Sequence, residues 1–385
     1  MRIAVVGGGI GGLASALALT QAGFSVDVYE RSPQLIDQGA GVTLAPNATR
    51  VLYHLGLGDA LEATAVTQPV SDYRHYRTGK TLRRVVRADD RTLFGAPHLR
   101  MHRWDLQTAM VDRLADVAPG ALHLGRRVTS LSRLPAGDTE LTFQDGGTTT
   151  AEIVVAADGI RSETRESLFH PAPPTFSGFI AWRGLVSTQG LPPPLLESVV
   201  SFGQGRHLNR YLVRRGDLVN FVAIARRDKW EAEGWTIPAD LEELLTEFST
   251  FDSDSLAILS RPLRGQLFKW GLFGRVPLDT WHKDGVVLLG DAAHPMLPFQ
   301  GQGAAMAIED AIILARALRT AAAAQQGFAL YQQTRQARTR HATERAAAQG
   351  RLYEGEPDET TLRGDDRSGL FAYDAIATPL GDVSG

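Results

Sequence analysis

The chain has 385 residues, with hydrophobic residues at 43%, charged residues at 22% and a formal net charge of −3. That length supports one large or two closely associated domains around a substantial core. The balance of charge argues against a nucleic-acid partner, no apolar run reaches the roughly 18–20 residues of a membrane span, and the lack of cysteine excludes disulfides and thiolate sites and fits a cytoplasmic protein.

Residues 2–6 read as a buried strand, Ile10 to Ala22 as a helix closed by Gly23, and Ser25 to Tyr29 as a second strand. Arg2 followed by small apolar residues imitates a signal peptide. However, the glycines fall at phosphate-turn spacing and no small-residue cleavage site follows, so export is not expected. Between strand and helix stands G-x-G-x-x-G at Gly7, Gly9 and Gly12. The first glycine allows the tight turn, the second lets a pyrophosphate touch the backbone, and the third lets helix and strand pack closely. Glu30 ends the second strand, where its carboxylate can accept ribose hydroxyls. Arg31 suits a 2′-phosphate, although a solvated arginine explains it more plainly. This motif alone does not separate FAD from NAD.

From Gly58 to Lys80 the signals mix, and Thr81 to Asp90 suggests a strand and an exposed basic turn. Leu106 to Val117 has helical periodicity, Leu122 to Leu134 and Glu140 to Gln144 read as extended, and residues 153–157 form another apolar strand. That strand runs into Asp158-Gly159-Ile-Arg-Ser162-Glu-Thr-Arg165, a D-G-x-x-S-x-x-R pattern far more specific than a bare Asp-Gly turn. Residues 176–275 alternate aromatic and β-branched side chains, which predicts an antiparallel sheet with a helix near 241–248.

The apolar strand 285–289 then returns to the character of the first strands and ends at Gly290-Asp291-Ala-Ala-His294-Pro-Met-Leu-Pro298-Phe299-Gln-Gly301-Gln-Gly303. An acid at a strand end can hold a polyol, and glycines opening a helix let N–H groups approach an anion. That helix is expected over 304–323. Residues 320–349 read as solvated helix with the Ala321–Ala324 run on its surface, 355–368 as loop, and the last few residues as disordered. The nucleotide-binding part is thus expected in three pieces, 1–70, 101–175 and 276–350. A substrate part at 71–100 and 176–275 is interleaved with it, and a C-terminal segment covers 351–385.

With all three motifs, the chain resembles the single-component (class A) FAD-dependent aromatic hydroxylases of the salicylate hydroxylase, hydroxybenzoate hydroxylase and 6-hydroxynicotinate 3-monooxygenase group. The likeness runs from Arg2 to about Leu380. It implies an α/β fold, in which a Rossmann-like FAD-binding domain is interleaved with an antiparallel-sheet substrate domain. It also implies that the first motif binds the FAD diphosphate, that Asp158 touches FAD and a transient NADH or NADPH, and that Asp291 binds the ribityl chain. Pro298 then lies near the reacting edge of the ring, and the N–H groups around Gly301 and Gly303 meet its negative end. Gly39-Ala40-Gly41 matches a turn near the isoalloxazine, and Arg103, at a helix start, matches an FAD-contacting arginine. The implied reaction hydroxylates a small phenolic or hydroxy-aromatic acid with O₂ through a C4a-hydroperoxyflavin. A hydroxypyridine carboxylate, urate, a polyketide-type ring or a non-oxygenating flavoprotein are the alternatives.

Relatives in that group carry a His-x-x-x-Tyr facing the substrate, matched here by His207 and Tyr211. The resemblance implies His207 as general base or proton relay and Tyr211 as partner of the substrate hydroxyl; a sheet histidine and an interface tyrosine are the plain alternative. Thr43 and Phe299 stand where 6-hydroxynicotinate hydroxylases tend to carry histidines, which favours an apolar pocket and a carbocyclic ring. Arg183 suits a substrate carboxylate or a domain contact. His294 is expected to hold its turn beside Asp291 rather than to act in catalysis. No metal-ligand spacing, nucleophile elbow or P-loop is present. The expected partner is a small aromatic molecule, with the protein a monomer or homodimer.

Overall fold

The computed structural model describes residues 1–37, 40–230, 237–358 and 367–381. The chain opens as strand Arg2–Val6, helix Ile10–Gln21 and strand Ser25–Glu30, with Gly23 in the left-handed region just past the helix. Arg2–Val6 pairs in parallel with Ser25–Glu30 on one side and Ile153–Ala156 on the other, and Val286–Leu288 continues the sheet beyond Ile153–Ala156. Leu122–Leu124 and His282–Lys283 complete the six strands at its edges. Ile153–Ala156 and Val286–Leu288 are buried throughout, so they are apolar throughout. Helices Ile10–Gln21 and Gly303–Thr320 pack closely because small residues meet: a Cβ at Gly11 would come within 3.2 Å of Ala307.

The second body is an eight-stranded sheet. Its spatial order is Ile237–Pro238, Phe268–Gly274, Thr175–Ser187, Leu218–Arg226, Arg206–Val213, Val199–Gly203, Val70–His75 and Thr81–Val86. Its strands come from two stretches of chain separated by strands of the first body, which makes the two bodies interleaved. One face buries Trp182, Leu208 and Phe221 against Leu244, Phe248 and Ile258, carried on and after helices Leu241–Glu247 and Ser253–Leu259. Asp240 and Asp252 cap those helices. The opposite face packs Phe179, Phe202 and Trp270 against Leu297, Phe299 and Tyr353. The third motif therefore lies between the two sheets.

Three expectations are corrected. The helix expected to Ala323 ends at Thr320, and a second helix runs from Ala324 to Leu352, so Ala321–Ala324 is a joint between helices rather than a helix surface. That second helix is not simply solvated: Phe328, Tyr331, Arg335, Arg338, Ala342 and Ala346 form a buried stripe at helical spacing. The extended run 122–134 is two strands, Leu122–Leu124 and Val128–Arg133. Gly39, 359–366 and 382–385 lie outside the described residues. Among the described residues no helix is long and apolar enough to cross a membrane.

Candidate active site

The first turn is built on backbone space. A Cβ at Gly7, whose φ is +106°, would lie 2.5 Å from the Ala157 carbonyl oxygen, and one at Gly12 would lie 1.9 Å from that of Gly7. Neither position admits a side chain. Gly9 differs: nothing stands within 4 Å of where its Cβ would be, and its helix opens without a capping side chain. First-turn N–H groups and the positive end of the helix dipole face that open space. Glu30 accepts hydrogen bonds from the Gly8 N–H (2.7 Å) and the Ser32 N–H (2.8 Å). Arg31, next along, is exposed.

The second motif is bolted to the third. Asp158 Oδ2 accepts from the Thr164 N–H (3.2 Å), while Oδ1 is buried without a partner. Burial raises its pKa against the opposing hydrogen bonds of Ser162 and Thr164. Ser162 caps helix Glu163–Phe169 by accepting from the Arg165 N–H (2.8 Å). The buried Arg165 guanidinium donates to the Ala292 and Ala293 carbonyls, 3.0 Å each, and to that of Val276 (2.8 Å).

Behind the third motif lies a buried charge cluster that the sequence reading passed over. Asp310 Oδ2 accepts from the Gly290 N–H (3.0 Å) and bonds His294 Nε2 (2.6 Å), while Oδ1 accepts from Arg335 Nε (2.7 Å). Arg338 donates to both oxygens of Glu309, at 2.7 Å each, and stacks its guanidinium 3.8 Å from the centre of the Tyr373 ring. Burial pushes the Asp310 carboxyl up, but His294 and Arg335 outweigh it and hold its pKa at about 2. His294 thus holds the turn as expected, through Asp310.

Asp291 and Arg103 lie close enough for each to feel the other's charge. Solvent reaches both side chains although protein surrounds them. Burial raises the Asp291 pKa and lowers that of Arg103, each effect opposed by charges that include the other residue. Pro298 is exposed at the lip, Gly301 takes φ +63°, and helix Gly303–Thr320 opens without a capping side chain. Asn47 Nδ2 ties this helix start down, donating to Gln302 Oε1 (3.2 Å) and Glu309 Oε1 (2.6 Å).

Across the cleft, strand register sets the opposing surface. Tyr73, Val200, Asn209, Val222, Arg183 and Phe268 lie in one row across six strands. Apart from Arg183 they are half-buried. The adjoining rows, Phe202–His207–Ile224–Ala181–Trp270 and Ser198–Tyr211–Asn220–Leu185, are closed. The half-buried row is therefore the floor of a furrow. At one wall His207 packs on Tyr353 and Phe299, with ring centres 4.6 and 5.4 Å away. At the other, the Tyr211 hydroxyl bonds Thr43, and the Gly41 N–H donates to Asn220 Oδ1 (2.6 Å). A Cβ on Gly41 would lie 2.7 Å from the Tyr211 oxygen, so that approach requires glycine.

Strand Arg206–Val213 pairs with Leu218–Arg226 without a bulge, which leaves His207 and Tyr211 roughly 13 Å apart along it, on opposite walls. Burial alone drives the His207 pKa down to about 3. Burial and the like charge of Arg103 lower that of Arg183 to about 10; its guanidinium lies 5.5 and 5.4 Å from the Phe268 and Trp270 ring centres, and its Nε is buried without a partner. Asn209 was legible as the residue midway between His207 and Tyr211 on one strand face. Tyr353 arrives from the C-terminal end of helix Ala324–Leu352, and no local pattern marks it.

These features fit FAD. There is open space over Gly9 for a diphosphate, an accessible but enclosed carboxylate for a polyol, and an uncapped helix start for an electron-rich ring. Among the described residues no His, Asp and Glu cluster suits a metal. The chain matches the FAD binding domain family over residues 1–346. It is 34% identical over 387 residues to 6-hydroxynicotinate 3-monooxygenase of Pseudomonas fluorescens, covering 98% of this chain and 96% of that one. It is 38% identical over 372 residues to a 3-amino-4-hydroxybenzoate 2-monooxygenase of Streptomyces platensis, covering 95% and 92%. A salicylate hydroxylase–substrate complex superposes with a TM-score of 0.83 at 28% identity, over 98% of this chain and 96% of that one. The HpxO protein of Klebsiella pneumoniae, solved with FAD and uric acid, superposes at 0.83 with 25% identity, over 97% and 93%. The chain belongs to the FAD binding domain family, and it is a flavoprotein monooxygenase of the aromatic hydroxylase type.

Proposed function

We propose that this enzyme hydroxylates a small hydroxy-aromatic carboxylic acid, using NADH or NADPH as reductant and O₂ as oxygen source. The furrow over Tyr73, Val200, Asn209, Val222 and Arg183 carries this reading: it offers apolar side chains for a flat ring, and an amide and a guanidinium for its polar substituents. Names of relatives point the same way, since hydroxybenzoates and hydroxynicotinate are carboxylated hydroxy-aromatics.

When bound, FAD supplies the electron transfer and the oxygen activation. The Gly7–Gly12 turn and Glu30 hold its diphosphate and ribose, Asp291 and Arg103 its ribityl chain, and the N–H groups at Gly301 and Gly303 its ring. Asp158 would contact FAD and, transiently, the nicotinamide cofactor. Arg183 takes the substrate carboxylate, because an anion offsets both its burial and the repulsion from Arg103. Tyr211, oriented by Thr43, meets the substrate hydroxyl. His207 is too weak a base to remove a phenol proton outright, since an effective base has a pKa near the working pH. At its own wall it suits a relay instead, taking up a proton on one ring nitrogen as it releases the proton on the other to water, so that the ring stays neutral. Phe299 and Tyr353 exclude water, and with Thr43 they favour a carbocyclic ring over a pyridine. The test is a panel of hydroxybenzoates and hydroxypyridine carboxylates scored by stimulated NAD(P)H oxidation with H₂O₂ measured. Stimulation by none of them ends the proposal.

A further inference from the structure

Arg100 is a buried cation without a counter-ion. Only 6% of its surface is exposed, and among the described residues no carboxylate pairs with it. Its guanidinium donates to Gln68 Oε1 (2.9 Å) and Ser71 Oγ (2.8 Å), both neutral, and Ser71 passes the contact to Ser198 (3.0 Å). It lies 5.1 Å from the centre of the Tyr211 ring. Arg100 is also the register partner of Thr43, the residue that bonds the Tyr211 hydroxyl. A buried charge is ordinarily paired, because desolvation is expensive. Here the pairing groups are fixed neutral dipoles, which orient the charge without cancelling it. The ionisable groups facing Arg100 are Tyr211 from strand Arg206–Val213, Tyr73 from strand Val70–His75 and Arg87 from the turn before 90–94, and none is an acid in the carboxylate range.

We propose that Arg100 is a positioning residue, whose uncompensated charge acts through Tyr211 and holds the substrate hydroxyl as its phenolate. This rests on the hydroxy-aromatic reading above. It also gives a source for the activation that a weakly basic His207 does not supply: positive potential at the Tyr211 wall lowers the substrate's own pKa, so the proton leaves to solvent or relay without a strong base. The substrate hydroxyl lies one hydrogen bond beyond the Tyr211 oxygen, roughly 8 Å from the charge, and at an effective dielectric of about 20 a unit charge at that range shifts an ionisation by about one unit.

The test titrates 4-hydroxy-3-nitrobenzoate, whose phenolate absorbs in the visible, bound to the FAD-loaded enzyme without nicotinamide cofactor. In the wild type the bound probe should ionise about one pH unit below its free value. Arg100→Met should retain FAD and bind the probe while returning its ionisation to the free value. Arg100→Lys, which keeps the charge, should keep most of the shift. An Arg100→Met enzyme whose bound probe ionises as in the wild type overturns the proposal, and so does an unshifted wild type. If Arg100→Met loses FAD, Arg100→Gln, which removes the charge and keeps donors toward Gln68 and Ser71, decides: an ionisation returned to the free value supports the proposal, and a retained shift overturns it. A wild type that binds neither probe nor any member of the panel instead overturns the substrate reading, and this inference with it.

Discussion

His294 and Asp310 are 16 residues apart in sequence, and a 2.6 Å contact between them fastens the Gly290–Gly303 turn to the helix behind it. The same carboxylate receives the Gly290 N–H and the Arg335 guanidinium. Asp310 thus sets the position of the strand end that carries Asp291, although it does not itself line the cleft.

Asp310→Asn should therefore destabilise the protein by about 3–5 kcal/mol in urea unfolding, the usual cost of leaving buried partners uncompensated. The pH dependence has a definite sign. The folded pKa of about 2 lies below the unfolded value near 4, so this stabilisation is complete above about pH 4 and disappears as pH falls toward 2. The asparagine variant should lose that part of the acid-unfolding slope.

His207 titrates in the opposite sense to a paired histidine. Its folded pKa of about 3 is below the unfolded value near 6.5, so the unfolded chain takes up the proton first. Stability should fall between about pH 6.5 and 3 and be unaffected above that window. Urea midpoints of His207→Gln should show a shallower decline between pH 7.5 and 5 than those of the wild type. His207→Ala should retain FAD and slow hydroxylation about tenfold, less than the 10²–10⁴ associated with a full general base. Unchanged coupled turnover in that variant removes His207 from the reaction.

Gly9 and Gly12 separate cofactor binding from folding. Gly12→Ala places a Cβ 1.9 Å from the Gly7 carbonyl oxygen and should lower the melting temperature even without FAD. Gly9→Ala meets nothing within 4 Å and should melt normally as apoprotein while binding FAD more weakly. Parallel melting curves with and without FAD check both.

Arg183→Met should raise KM for carboxylated substrates by roughly 10–100-fold, in line with losing a charged hydrogen bond. Matching phenols that lack the carboxylate should change little. An equal loss for both classes assigns Arg183 to packing beside Phe268 and Trp270 instead.

The features legible in the sequence were those whose chemistry is local. Gly7 and Gly12 announce themselves because no side chain fits their turns, and the strand residues at 3–6 and 153–156 because burial on both faces demands unbroken apolar runs. Arg335 and Arg338 pass for surface residues because a buried arginine and a solvated one look alike until Glu309 and Asp310 are placed opposite them. Their spacing with Phe328, Tyr331 and Ala342 was a usable signal, since a stripe at three and four residues marks an inward face whatever its polarity. The furrow was hidden for another reason. Tyr73, Val200, Asn209, Val222 and Arg183 come from five strands, and only the register of the finished sheet aligns them. Arg100 is hidden likewise, its isolation being a property of what does not surround it.

The most direct measurement is turnover of the FAD-loaded enzyme with NAD(P)H and carboxylated phenols under ¹⁸O₂, with product examined by mass spectrometry. Hydroxylation of a ring held between Arg183 and Tyr211 requires one labelled oxygen atom in each product molecule, together with substrate-stimulated NAD(P)H oxidation. An unaltered ring with all the label in H₂O₂ or water, across the whole panel, would contradict it.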